Sequence, residues 1–248
     1  VGPRNLIAAG VAGLLLAAVP ALADITVIAR YTLMNGDTLT RASYYTSKQI
    51  RTTLPNGIEL IYDEAGRRTA LIDHLNHRYW EGPRQMADSI ASAIRAERSQ
   101  ALQGLVAPEV RNSIYSALSD SVHQDQTGEA RTIAGYPCNE WVLTAGSYLR
   151  QERWVARSLS MPNFGPEIEK VVLASVVDPV GRGLMKLVLQ ARRVNGLTLA
   201  GMIRYHTPTQ DGTMSWEALQ VLSAKLPPET WAVPAGYERW EPKGSRAP

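Results

Sequence analysis

One cysteine in 248 residues leaves no partner for an internal disulfide, so nothing covalent staples this chain in any redox compartment. Stability has to come from a hydrophobic core, and a chain of this length can build one. Phenylalanine is nearly missing: Phe164 stands alone against six tryptophans and ten tyrosines. Charge of one sign is missing too. Lys and Arg number 26 against 23 Asp and Glu, a balance that argues against a nucleic-acid partner or a polybasic membrane contact. Past residue 19 no apolar stretch approaches the ~20 residues a bilayer requires. Also absent are a G-x-S-x-G nucleophile elbow, an H-E-x-x-H metal pair and a glycine-rich phosphate loop.

The long apolar run that is present lies at the start. Arg4 precedes an unbroken series of Leu, Ile, Val, Ala and Gly from Leu6 to Val19, and Pro20 then leads to Ala21-Leu22-Ala23 before the polar Asp24. A short basic start, a short apolar centre and a small-x-small exit make up a cleavable secretory signal. The expectation is a signal peptide at residues 1–23 and an exported, periplasmic chain that starts at Asp24, with no transmembrane span after cleavage. No cysteine follows the apolar run, which excludes acylation at a lipoprotein cleavage site.

From Asp24 apolar residues alternate with period two. Ile25, Val27, Ala29, Tyr31 and Leu33 share one face, as in a half-buried strand. The Asn-Gly pairs in "MNGDT" and "PNG" and the glycine of "EAG" then divide "TLTRASYYT", "KQIRTTL", "IELIYD" and "RTALIDHLNHRYW", a meander of antiparallel strands. The period changes at Arg84. No Pro or Gly interrupts the chain to Gln103, and Met86, Ile90 and Ile94 recur at helical spacing. Pro108 suits the first turn of a second helix, with Val110, Ile114, Ala117 and Leu118 on one side. Strands resume with "RTIAGYPCNEWVLTAG" and "YLRQERWVAR". A helix near Pro166 carries the stripe Ile168, Val171, Val172, Ser175 and Val176, and "GRGLMKLVLQARR" forms a further one. "LTLAGMIRYH" and "TMSWEALQVLSA" close the pattern as strands. A sheet of about nine antiparallel strands must curl or split and have its apolar face covered. Inserted helices on the concave side of a strongly curved sheet meet that need.

Few residues offer chemistry. His74 and His77 in "DHLNH" come nearest to a metal pair, but residues three apart in a strand point to opposite faces. Asp63, Glu64 and Asp73 could share acid–base work, yet turn chemistry accounts for Asp63-Glu64-Ala65-Gly66. Trp80, Trp141, Trp154 and Trp216 fall inside strands, where they either fill a core or line an apolar groove.

The segment Gly128 to Ala156, "GEARTIAGYPCNEWVLTAG…ERWVA", resembles a signature of exported bacterial proteins with a LolA/LolB-like fold, the lipoprotein-carrier superfamily. Thr132, Ile133, Ala134, Gly135, Tyr136, Cys138, Trp141, Trp154, Val155 and Ala156 occupy its pattern positions, and "LPPETWAVPAGYERW" is similar to the closing segment of the same family. The resemblance implies an α+β fold: an open half-barrel of about 9–11 antiparallel strands with helices over the concave face. It implies one domain over residues 24–242, with a disordered tail at 243–248. The function it implies is binding of a lipid or acyl chain in the interior, lined by Trp141, Leu143, Trp154, Ile168, Val172, Val176 and Ile203. No catalytic, cofactor or metal site is expected. The alternative is a non-enzymatic envelope scaffold or sensor that contacts an envelope protein, its groove filled by its own helices. Cys138, just past Pro137 and without a His companion, is expected to be a small, buried, inert hydrophobe, the alternatives being an intermolecular disulfide or a redox-sensitive thiol.

Overall fold

The computed structural model describes residues 24–33, 35–54, 57–102, 122–146, 149–159, 170–172, 174, 194–206 and 211–241. The expected signal peptide, the helix expected from Pro108, the residues Ile168 and Val176, the helix expected at 181–193 and the tail at 243–248 lie outside the described residues.

Alternating sequences become strands, β1 (Ile25–Thr32), β2 (Thr38–Tyr45), β3 (Gln49–Thr53), β4 (Ile58–Asp63), β5 (Arg68–Asp73) and β6 (Arg78–Pro83). A short 3-10 turn, Arg84–Met86, then leads into α1 (Ala87–Leu102). A second series follows: β7 (Val122–Ile133), β8 (Tyr136–Ala145), β9 (Leu149–Ala156), β10 (Leu197–His206), β11 (Asp211–Ser223) and the short β12 (Glu238–Arg239). All twelve belong to one open sheet in the order β12-β6-β5-β4-β3-β2-β1-β11-β10-β9-β8-β7. Two meanders, β1–β6 and β7–β11, therefore meet where β1 pairs antiparallel with β11, and only β12 lies parallel to its neighbour β6.

Twelve strands exceed the expected range, for identifiable reasons. "RTALIDHLNHRYW" is not one strand but the hairpin β5–β6, with His74 to His77 in its turn and His77 at φ 50°. β7 begins at Val122, well before the expected start, because "VHQDQTGEARTI" is an edge strand whose polar residues face water and so carries no alternation. Its link to β8 is a two-residue turn in which both Ala134 (φ 49°) and Gly135 (φ 86°) are left-handed, the conformation that matches strand twist in a tight hairpin.

The N-terminal meander is covered on both sides. Ile90, Ala91 and Ile94 of α1, together with Val171 and Val172 from helical residues 170–172, pack on Leu60, Tyr62, Leu71 and Trp80. On the opposite face Ile61, Ala70 and Ile72 meet Trp231, Val233 and Tyr237 from the segment after β11. This double cover buries Ile58 through Tyr62 without interruption. The C-terminal half instead curls. Register shifts at Gln126/Ala130, Thr198/Ala200 and Ile28/Ala29 add local bend, and small side chains, Cys138, Ala156, Ala200 and Ala218, make up much of the packed cluster there. The result is visible in one pair. Arg131 on β7 stands 3.8 Å from Glu217 on β11, although three strands separate them in the sheet, whereas strands so spaced in a flat sheet lie ~19 Å apart.

Candidate ligand site on the helix-bearing face

One face of the sheet can be followed from strand to strand by register. Starting from Leu60, Leu71 and Trp80 under α1, it passes through Ile50 and Tyr45 to Ala29 and Tyr31 of β1. In β8–β11 it continues as two neighbouring rows. The first reads Trp141, Arg153, Gly201, Trp216, each directly opposite the next, and Trp216 is opposite Tyr31. The second reads Leu143, Gln151, Ile203, Met214. Glycine at position 201 has a local cause: a Cβ there would come within 2.3 Å of the Trp216 indole, which lies across that gap.

Of the residues expected to line an interior, Trp141, Leu143 and Ile203 come together in these rows. Leu143 and Ile203 are buried. Trp154 does not join them, since neighbours along a strand point to opposite faces. It pairs with Glu140 and Ala200 and carries the Arg131 guanidinium 4.3 Å above its ring. Val172 is also elsewhere, buried in the core between α1 and β4–β6.

The two polar side chains of the rows apart from the indoles, Arg153 and Gln151, were not singled out by sequence reasoning. Arg153 is 4% exposed and Gln151 0%. The Arg153 Nε and Nη2, both amide atoms of Gln151 and the Trp141 indole Nε1 are buried without a hydrogen-bond partner. Burial pulls the Arg153 guanidinium down to about 10, which leaves it cationic at neutral pH. A buried charge without a partner costs several kcal/mol, of order 3–5 where a pair has been broken. "LRQERWVA" gave no warning of this, because an arginine in a strand reads as a solvated residue until the covering of its face is known.

A second polar cluster lies on the other side of the N-terminal meander, and here every group is used. Arg51 donates from Nε and Nη2 to the two Glu59 carboxylate oxygens, at 2.8 Å each, and from Nη1 to the carbonyls of Thr230 and Ala232. His74 Nε2 lies 3.1 Å from Glu59, and its Nδ1 lies 2.8 Å from the Tyr237 hydroxyl. The cluster fastens the segment after β11 across the sheet. Beside it runs a groove of about 400 Å³ lined by Thr40, Tyr44, Arg51, Thr53, Glu59 and Thr230. Among the described residues no group of three His, Cys, Asp or Glu side chains is placed to hold a metal ion.

No family model and no curated protein matches the chain. Among solved structures it is similar to an uncharacterized conserved protein from Thermus thermophilus, at 6% identity and TM-score 0.44, over 88% of this chain and 90% of that one. It is also similar to a chain of the Pseudomonas aeruginosa MucA/MucB complex, at 12% identity and TM-score 0.43, over 88% of this chain but 58% of that one. This chain thus spans less than two thirds of that neighbour's length. A LolA superfamily protein from Nitrosomonas europaea is similar at 10% identity and TM-score 0.25, over 86% of this chain and 91% of that one. At such identities and scores no residue role and no function passes to this chain. Among the described residues no helix is long and apolar enough to cross a membrane.

Proposed function

We propose that this chain is an exported periplasmic protein that holds a lipid or another apolar ligand against the helix-bearing face of its open sheet, as a carrier rather than an enzyme. The observation that supports this reading is the pair of rows across β8–β11, where Trp141, Leu143, Ile203, Met214 and Trp216 share one face. Aromatic and aliphatic side chains with a few placed polar groups are the usual lining of a site for an apolar ligand. The sequence resemblance to the lipoprotein-carrier superfamily supports the same reading. The test is native mass spectrometry with solvent extraction on protein expressed into a periplasm. An amphiphile that copurifies and is displaced by a fluorescent fatty acid is the expected result. A protein free of any adduct that also binds no apolar probe would sink the carrier.

A second reading, an envelope scaffold or sensor acting through protein contact, draws support from Leu219 and Leu222, large apolar residues exposed on β11. On that reading, replacing both by lysine abolishes association with the envelope partner, and apolar probes find no site in the wild type.

A further inference from the structure

Two arginines of this protein present the same edge to very different surroundings. In Arg51 the Nε and Nη2 groups face the two oxygens of Glu59, each at 2.8 Å. In Arg153 the corresponding Nε and Nη2 are buried and face no acceptor. That edge is two parallel N–H bonds, and its complement is a pair of oxygens on one anionic centre, as in a carboxylate or phosphate. No acidic side chain among the described residues pairs with Arg153. Glu152 precedes it in the chain but engages Arg150 at 3.0 Å, on the other face of the strand.

The surrounding orphans extend the same demand. The Trp141 indole N–H, directly opposite Arg153 on β8, is a third unused donor. Gln151, two residues from Arg153 on the same strand and face, leaves both its amide N–H groups and its carbonyl unused. Gly201, opposite Arg153 on β10, adds no side chain of its own, and the Trp216 indole fills that flank as an apolar wall. Leu143 and Ile203 occupy the next row, on either side of Gln151. A cation ringed by donors, next to aliphatic side chains, is arranged for a molecule with one charged end and one apolar end.

We propose that Arg153, with Gln151 and Trp141, binds the oxyanion head group, a carboxylate or a phosphate, of an acidic amphiphile whose chain runs along Leu143 and Ile203. This rests on the apolar-ligand reading above and names the chemistry of the ligand. It also accounts for the tolerance of an unpaired buried cation: the partner arrives with the ligand, so the stability lost in the free protein reappears as affinity.

The experiment uses the full chain stripped of lipid. Fluorescence titrations with cis-parinaric acid, its methyl ester and, by displacement, dodecyl phosphate and dodecanol separate head group from chain. The wild type is expected to bind each acid about tenfold or more tighter than its neutral counterpart, a difference of about 1.4 kcal/mol. Arg153→Met is expected to erase that preference and leave the ester and alcohol affinities in place. The free variant should melt no lower than the wild type, since it loses a charge that had no partner. Gln151→Leu is expected to narrow the same preference and provides an independent reading should Arg153→Met fail to fold. Equal affinity for acid and ester in the wild type overturns the head-group assignment while leaving an apolar ligand in place. So does a preference that survives both substitutions. Displacement of the probe by inorganic phosphate or acetate alone overturns the amphiphile in favour of a small free anion. Failure of every probe to bind overturns both this proposal and the carrier reading.

Discussion

Cys138 is 1% exposed, and its Sγ donates to the Tyr136 carbonyl at 3.4 Å. Burial pushes the thiol up from its ordinary range, against smaller opposing pulls from the Ile133 backbone and Arg131. A raised pKa means that the neutral thiol is the folded form. Its contribution to stability is intact below the ordinary thiol range and is lost as pH rises through the folded value. A bulky maleimide should therefore label the native protein very slowly at neutral pH and the denatured protein at once. Cys138→Ala should cost about 1 kcal/mol by chemical denaturation, the loss of one small buried side chain. Rapid native labelling would show that the thiol is accessible and end the inert assignment made from its sequence context.

The elements differ in what they tolerate. Val172 is packed with Ile90, Ile94, Leu71 and Trp80, so Val172→Trp has to force bulk into a filled layer. It should lower stability by about 1–3 kcal/mol. Ile203 lies in a ligand row of β10, beside Gln151, on the proposed reading. Ile203→Trp should weaken binding of an apolar probe far more than it lowers the melting temperature. Melts and probe titrations on the two variants check the contrast, and a reversed pattern would move the ligand under α1. The strands themselves were largely legible from period-two alternation and Asn-Gly turns. β7 was not, because an edge strand exposed on both sides has no apolar period to show. The helical stretch from Arg84 was legible because Ile90 and Ile94 fall one turn apart, and both pack inward.

At the scale of the whole molecule, the curl of the C-terminal half joins residues far apart in the sheet. The Arg131–Glu217 pair that marks it is about half exposed on each side, and surface pairs of this kind contribute at most about 1 kcal/mol. The curl therefore owes more to the three register shifts and the small residues of its packed layer than to that pair. Export is the other property at this scale. On the proposed reading the protein recovered from a periplasmic extract starts at Asp24, as N-terminal sequencing would establish. Protein retained in membranes with Leu6 to Val19 still attached would point to an anchor instead.

Most of β7, β12 and the turns at 74–77 and 134–135 were missed. The sequence by itself determined the strand character of most of the sheet, the glycine turns before β2 and β5, the change from strand to helix at Arg84 and the shared face of Trp141 and Leu143. These follow from neighbours along the chain, since periodicity and turn preference are local properties. Only the tertiary structure decided what covers each face. The segment carrying Trp231, Val233 and Tyr237 crosses one side of the N-terminal meander and buries Glu59 with its partner Arg51, although both read as solvated charges. Burial likewise makes Arg153 and Gln151 unusual among the described residues. A strand side chain has the same local signature in water and in the interior. Its energetics change only when distant segments take the water away, and that depends on the packing of the whole chain.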